Sequence, residues 1–378
     1  MRKARLCHNL RMALGVTVAA LWIYLFLGRG MFWRIREETA VGDPTYADLA
    51  ANGRPAPVIA AVVPARNEAA VVARAVESLA KQDYPGVFHI VLADDQSDDG
   101  TAAIARAAAP ASKLTVFEAA PLPEGWTGKL WAVAQGVDRA ARLQPDYFLL
   151  TDADIVHAPA NLSELVARAE SGYDLVSFMA KLRCESLAER ALVPAFVFFF
   201  FMLYPPAWGT GAAGGCMLLR RQMLERIGGI ESIRGELIDD CALARAVRRA
   251  GGRVWLGLGA GTRSIRAYGS FSEVERMISR SAFAQLRYST WLLAGTVGGL
   301  LLVFAAPVVL ALAGSWWGWS AWALMTLMYL PILRFYRVAP LWAPLLPVIS
   351  LFYLAATVHS AILHRRGRGG RWKGRVHG

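Results

Sequence analysis

Residues 58–68 read VIAAVVPARNE, a short apolar run that changes abruptly to charge. Residues 58–63, ended by Pro64, are expected to form a buried strand. The signature returns at residues 88–93, which run into Asp94-Asp95, and at residues 147–150, which run through Thr151 into Asp152-Ala153-Asp154. Helical spacing of apolar residues marks 68–81, 100–109 and 130–143, and residues 114–117 supply a further strand. Strands that alternate with helices predict an α/β domain around a mostly parallel mixed sheet. Ligands of such sheets sit beyond the carboxyl ends of the strands. Arg66, Glu68, Asp94, Asp95, Asp152 and Asp154 all collect there.

Outward from this domain the composition shifts. Of 378 residues, 55% are apolar, more than one core of this size needs. Residues 291–333 and 338–363 carry no charge, and a helix crosses a bilayer with about 20 apolar residues. The first stretch fits two crossings, with a turn at residues 314–318 and an interfacial cluster of Trp316, Trp317 and Trp319. The second is long enough for one crossing, although Pro340, Pro344 and Pro347 weaken its first half. Residues 12–27 form a short apolar segment. The following Gly28-Arg29-Gly30 offers no small-residue cleavage site, which favours a retained anchor over a signal peptide.

The net charge of +12 gathers beside these segments, at Arg2, Lys3, Arg5 and Arg11 and at Arg365, Arg366, Arg368, Arg371, Lys373 and Arg375. With no nucleic-acid-binding module in view, anionic lipid headgroups explain the charge more economically than nucleic acid does. The bias places both termini and the middle domain in the cytoplasm. One N-terminal and three C-terminal crossings cannot satisfy that, so a segment at each end must lie in the interface or re-enter. The expected organisation is an N-terminal membrane anchor and linker (1–54), a catalytic domain (55–286), a transmembrane region (287–363) and a basic cytoplasmic tail (364–378). The expected location is the inner, cytoplasmic membrane, multi-pass, with the catalytic domain facing the cytoplasm. Cys7, Cys184, Cys216 and Cys241 have neither metal-ligand spacing nor a dense disulfide pattern.

Two carboxylates at a strand end, beside a diphosphate, suit a hard divalent cation such as Mg²⁺ or Mn²⁺. A lone Asp-x-Asp is more often a solvated turn, and Asp94 to Thr101 also reads as a polar turn capping a helix. Asp239 and Asp240 open a helix over 240–250, where the dipole favours acids. Such a pair, from a different part of the chain than the strand-end acids, is available as a general base.

The ordered set is similar to glycosyltransferase family 2. It comprises Val63-Pro64-Ala65-Arg66-Asn67-Glu68, Asp94-Asp95, Gly128-Lys129-Leu130-Trp131-Ala132 and Asp152-Ala153-Asp154. Gly214-Gly215-Cys216-Met217-Leu218-Leu219-Arg220-Arg221, Asp239-Asp240-Cys241-Ala242-Leu243 and Gln285-Leu286-Arg287-Tyr288 complete it. Within that family the chain most resembles the hopanoid-biosynthesis-associated (hopene-associated) transferases, through Pro123-Glu124-Gly125-Trp126-Thr127-Gly128-Lys129, Ala284 to Tyr288 and the flanking membrane segments. The resemblance implies a GT-A fold and a single metal-assisted, inverting sugar transfer from a nucleotide sugar, with uridine as the default base, to a lipid. It implies donor contacts from Pro64, Arg66, Glu68, Asp94, Asp95, Lys129, Asp152 and Arg287. It also implies metal ligation by Asp154 and Asp152, and a base at Asp240 or Asp239. Asp239 replaces the family's Glu, and the terminal Trp of its Gln-x-x-Arg-Trp motif is absent, which argues against processive synthesis.

Other readings compete. The acceptor could be ceramide, diacylglycerol or polyprenyl phosphate, or the chain could be a non-catalytic scaffold. A nucleotidyltransferase would need a Gly-rich basic loop after the first strand, and 64–70 has none. Residues 209–214 match Gly-x-Gly-x-x-Gly, but a strand follows them rather than a helix, which excludes a dinucleotide fingerprint. The aromatic run 192–203 is too short to span and is expected to lie in the interface, presenting a lipid acceptor.

Overall fold

The computed structural model describes residues 2–34 and 55–367, with 369, 371–372 and 375–376. The expected linker after residue 34 and most of the basic tail fall outside them. Helix α1 (Arg2–Leu27) precedes β1 (Ile59–Ala65), α2 (Val72–Ala80), β2 (Phe88–Asp94), α3 (Thr101–Ala107), β3 (Leu114–Glu118), α4 (Gly128–Ala141) and β4 (Tyr147–Thr151). Next come β5 (Ile155–His157), α5 (Asn161–Glu170), β6 (Leu175–Lys181), α6 (Leu187–Leu203), β7 (Cys216–Arg220), α7 (Arg221–Arg226), α8 (Asp239–Arg249) and β8 (Val254–Ser264). Helices α9 (Phe271–Ser279), α10 (Ala282–Gln285), α11 (Thr290–Leu300), α12 (Ala306–Leu312), α13 (Trp316–Tyr336) and α14 (Leu346–Arg365) follow.

The eight strands form one mixed sheet in the order β3-β2-β1-β4-β7-β6-β8-β5. β1 pairs in parallel with both β2 and β4, while β7 runs antiparallel between β4 and β6. Strands β1 to β3 build outward on one side of β1 and β4 starts the other side, so a topological switch point opens between β1 and β4. Their ladder ends at Val62 and Leu150. Pro64, beyond that end, is therefore not asked for a bond to β4. This explains a departure from the sequence reading: the strand runs through Pro64 to Ala65 instead of stopping at Val63.

All seven residues of β1 are buried, as a strand covered on both faces requires. Alternation splits them. Ile59, Ala61, Val63 and Ala65 pack with Val72, Val76 and Leu79 of α2 and Leu162 and Leu165 of α5. Ala60 and Val62 pack with Leu130 and Val133 of α4 and Val247 of α8. On that second face α4 comes so close that a Cβ on Gly136 would lie 2.5 Å from Val62 Cγ1. Gly136→Ala is expected to cost about 1–3 kcal/mol by overpacking, read as a lower thermal midpoint with the donor site otherwise intact.

A third cluster joins sheet and bundle. Met179, Ala213, Leu256 and Leu258 pack with α6 and with Phe304, Tyr329 and Tyr353 of the C-terminal helices. Among the described residues, four segments are long and apolar enough to cross a membrane: Asn9–Leu27, Leu187–Trp208, Thr290–Leu312 and Pro340–Arg365. Two expectations change here. The run at 192–203 is the second half of a longer helix, because Ser186 and Glu189 form a capping box that starts it at Leu187. The uncharged stretch 291–333 does split at Gly314, but only its first half is among the four; α13 is buried along one side by Ala321, Met325, Met328, Tyr329 and Ile332.

Candidate functional site

Loops after β1 and β2 form one wall. Residues 68–71, which the sequence reading placed in the helix, precede α2; with Asn67 they are zipped to the next loop. Asn67 N–H donates to Ser97 Oγ (2.9 Å), Glu68 N–H to Thr101 Oγ1 (2.8 Å) and Ala69 N–H to Asp99 Oδ2 (3.0 Å). Asn67 and Gln96 take positive φ (50° and 55°), which lets these polar tips turn. Asp95 is fully buried with Arg66 Nη1 3.6 Å from its carboxylate, and Asp94 accepts from Ser97 Oγ. The wall is thus fixed before any ligand arrives.

The acidic turn after β4 faces two cations. Asp152 Oδ1 lies 2.9 Å from Lys129 Nζ, while Asp154 Oδ2 accepts from Arg266 Nε at 2.7 Å. The turn has already begun after Thr151, so the two carboxylates meet different partners. Arg266, two residues past β8, also donates from Nη2 to Glu68 Oε1 at 2.6 Å, tying the first wall to the acidic turn. Sequence reading missed Arg266, although it obeys the same strand-end rule.

His157 supports this turn from below. Buried, it pairs with Thr151 Oγ1 and Asn161 Nδ2, both at 2.9 Å. Burial pushes its pKa down to about 4. An unfolded histidine titrates near ~6.5, so as pH falls from there to about 4 the unfolded chain takes up a proton that the folded chain refuses. Stability is full above that window and declines through it, by about 3 kcal/mol in total. Thermal midpoints measured against pH should show this loss, and His157→Gln should flatten it.

Opposite stands the start of α8. Lys129, in the first turn of α4, bridges Asp152 to Asp239 Oδ2 (3.0 Å). Burial alone would lower its pKa; the two carboxylates outweigh that and hold it above the ordinary value. Asp240 makes no such pair. Its Oδ2 accepts from Gly214 N–H (2.9 Å) and its Oδ1 from Cys241 N–H (2.7 Å). Burial, then repulsion from Asp239, pushes Asp240 up to about 6. A Cβ at Gly214 would lie 3.4 Å from both Asp240 Oδ2 and Lys129 Nζ, so this backbone position adjoins both charged groups. Gly214 precedes β7, which rules out a dinucleotide loop at 209–214 as expected.

Pro64, Lys129, Thr151, Asp152, Gly214 and Asp239 line one crevice at the switch point. Arg287 does not join this network. It is exposed, in a turn at φ 51°, and forms no ion pair among the described residues. Gln285 of the same motif instead donates to Tyr204 OH at the end of α6. Cys184, Cys216 and Cys241 are free thiols.

Carboxylates outnumber cations here, and Asp152 is pushed upward by burial and by its neighbours Asp154 and Asp239, against the pull of Lys129. A diphosphate would add further negative charge. Asp152 and Asp154 supply oxygen donors of the kind a hard divalent cation takes, although here each is paired with Lys129 or Arg266, and no cluster of three or more His, Cys, Asp or Glu ligands exists among the described residues.

The family model described as "Glycosyl transferase family 2" matches residues 60–228. Among solved structures, the mannosyltransferase PcManGT from Pyrobaculum calidifontis, in complex with GDP-Man and Mn²⁺, is 20% identical with a TM-score of 0.53, over 93% of this chain and 99% of that one. Glucosyl-3-phosphoglycerate synthase from Mycobacterium tuberculosis, with Mn²⁺ and UDP-glucose, is 17% identical with a TM-score of 0.43, over 65% and 83%. At these identities the first likeness establishes a GT-A-like fold. No curated protein matches the sequence.

Proposed function

We propose that this chain, a glycosyltransferase carrying a family 2 domain over residues 60–228, moves a single sugar with inversion from a nucleotide sugar to a lipid hydroxyl at the membrane. The observation that carries the proposal is the meeting of Asp240 and Lys129 at Gly214. A carboxylate with a raised pKa stands beside Asp239, whose partner Lys129 also reaches the acidic turn at Asp152.

In this reading Glu68, Asp94 and Arg66, with Asp95 behind it, hold the nucleoside. Lys129 and the N-terminus of α4 face the diphosphate, and Arg287 is a second cation for it. Mg²⁺ or Mn²⁺ on Asp152 and Asp154 would offset charge on the departing diphosphate. Asp240 is the base, because Asp239 is neutralised by Lys129. The acceptor hydroxyl gives its proton to Asp240, its oxygen bonds to the anomeric carbon, and the bond from that carbon to the diphosphate oxygen breaks on the far face. The products are the inverted glycoside and the nucleoside diphosphate.

A lipid acceptor is supported by the four apolar segments and by α6, which ends at Tyr204 and its Gln285 partner. Basic residues flanking the segments favour the cytoplasmic membrane with the site facing the cytoplasm, and the resemblance favours a hopanoid-type acceptor. The test is calorimetric binding of UDP and GDP to detergent-purified protein with and without Mn²⁺. One of them should bind in a metal-dependent way, and Asp154→Asn should abolish the metal dependence. If folded wild-type protein binds neither, the proposal fails.

A further inference from the structure

The far end of α8 meets a second cleft, about 510 Å³ in volume, within the range of roughly 300–1,000 Å³ typical of small-molecule sites. It lies between the segment after α1, the turn after α6 and the beginning of β8, which is the sheet edge away from the carboxylate crevice. Arg34, Arg248 and Arg253 line it together with Phe32, Phe201 and Trp208, and no Asp or Glu is among the described lining residues.

The arginines are held without acids. Arg248 donates to Trp208 C=O (3.2 Å), at the end of a helix whose dipole favours cations. The Arg253 guanidinium lies 4.5 Å over the Tyr173 ring, and that of Arg34 lies 5.3 Å over the Trp33 ring. None of the three has a carboxylate partner on its side chain among the described residues, which leaves guanidinium donors for an anion. Arg29 fixes the wall by donating to Met202 C=O (2.9 Å) while sitting 4.8 Å over Trp208.

The opposite wall is apolar. Phe32 and Phe201 are buried in the cluster that joins the sheet to the long apolar helices. The cleft opens at the ends of two of the long apolar segments, Asn9–Leu27 and Leu187–Trp208, so an anionic, oxygen-rich head seated there would have its aliphatic continuation beside them. We propose that this cleft is a binding site for the phosphodiester headgroup of an anionic phospholipid, separate from the sugar-transfer site. The guanidinium forks match phosphate oxygens, and the position fits a juxtamembrane basic site. Because α8 carries Asp240 at one end and Arg248 at the other, occupancy would also seat the catalytic helix against the bilayer.

The experiment titrates detergent-purified full-length protein with dihexanoylphosphatidylglycerol, dihexanoylphosphatidylcholine and inorganic phosphate by calorimetry. The glycerol lipid should bind saturably and more tightly than the other two. Arg248→Gln with Arg253→Gln should weaken it by roughly tenfold or more, while Arg248→Lys with Arg253→Lys should recover only part of the binding, because an ammonium keeps the charge but not the fork. Arg34→Gln, outside the sheet, gives the same readout if the double variant does not fold. Phosphate binding as tightly would overturn the lipid assignment, and phosphatidylcholine binding as tightly would overturn charge recognition. Absent binding, or glutamine variants that bind like wild type, would reject the site.

Discussion

Asp240→Asn should lower turnover by about 10²–10⁴-fold, the range general-base catalysis supplies, while nucleotide binding persists. Asn keeps the shape and can still accept from Gly214 N–H, giving up the bond from Cys241 N–H, but it cannot take the acceptor's proton. In wild-type enzyme kcat/KM should rise with pH through about 6, where Asp240 ionises, and level off above. The same shift acts on stability with a definite sign. Between the usual carboxylate pKa, near ~3.9, and about 6, the unfolded chain loses this proton before the folded chain does, so stability falls as pH rises through that window. At neutral pH the ionised Asp240 costs on the order of 3 kcal/mol. The variant should therefore be inactive and melt higher than wild type. A variant that melts lower and retains activity would remove Asp240 from the mechanism and return the role to Asp239.

Lys129→Ala has the second large effect, and it divides differently. Without the ammonium, Asp152 and Asp239 lose their shared partner, each having been about 3 Å from it. Stranding charges in a buried site costs about 3–5 kcal/mol. Asp152 is about a third exposed, so solvent screening reduces the expected loss to about 1–3 kcal/mol. Nucleotide affinity should fall by roughly 10- to 100-fold, the worth of a hydrogen bond to a charged group. Lys129→Arg should recover part of both. If the melting temperature drops while the calorimetric affinity of UDP or GDP is unchanged, the lysine braces the crevice and does not touch the donor.

The legible parts of this site lie where strands are short, apolar and buried on both faces. Such strands read as continuous runs, so the sequence places their ends at Val63, Ala93 and Leu150, within two residues of the observed Ala65, Asp94 and Thr151, and the carboxylates just beyond stand out. Arg266 was hidden because its strand, VWLGLGAGTRS, is rich in glycine and weak in the β-branched residues that announce strands. Its partner Asp154 lies 112 residues away. His157 sits in a three-residue strand, too brief for alternation to register. Glu189 lies just ahead of the aromatic run that the sequence marks at 192–203. A carboxylate in an apolar stretch looks like a boundary, yet it is 1% exposed and accepts from Glu185, Ser186 and Tyr268 N–H groups. The roles of the carboxylates came from the family resemblance, since alternation alone cannot tell a metal ligand from a cap.

The cluster that joins Met179, Leu256 and Leu258 to Tyr329 and Tyr353 bears on how this enzyme can be handled and how it could have evolved. In a modular anchored protein, a protease or a stop codon releases a soluble head. Here the cut would run through shared interior, baring the back of the sheet and leaving α6 without the helices that cover it. Dissection at residue 286 should yield an aggregating fragment instead of a working head. A lineage built this way cannot trade its anchor for another without rebuilding the rear wall of its catalytic domain.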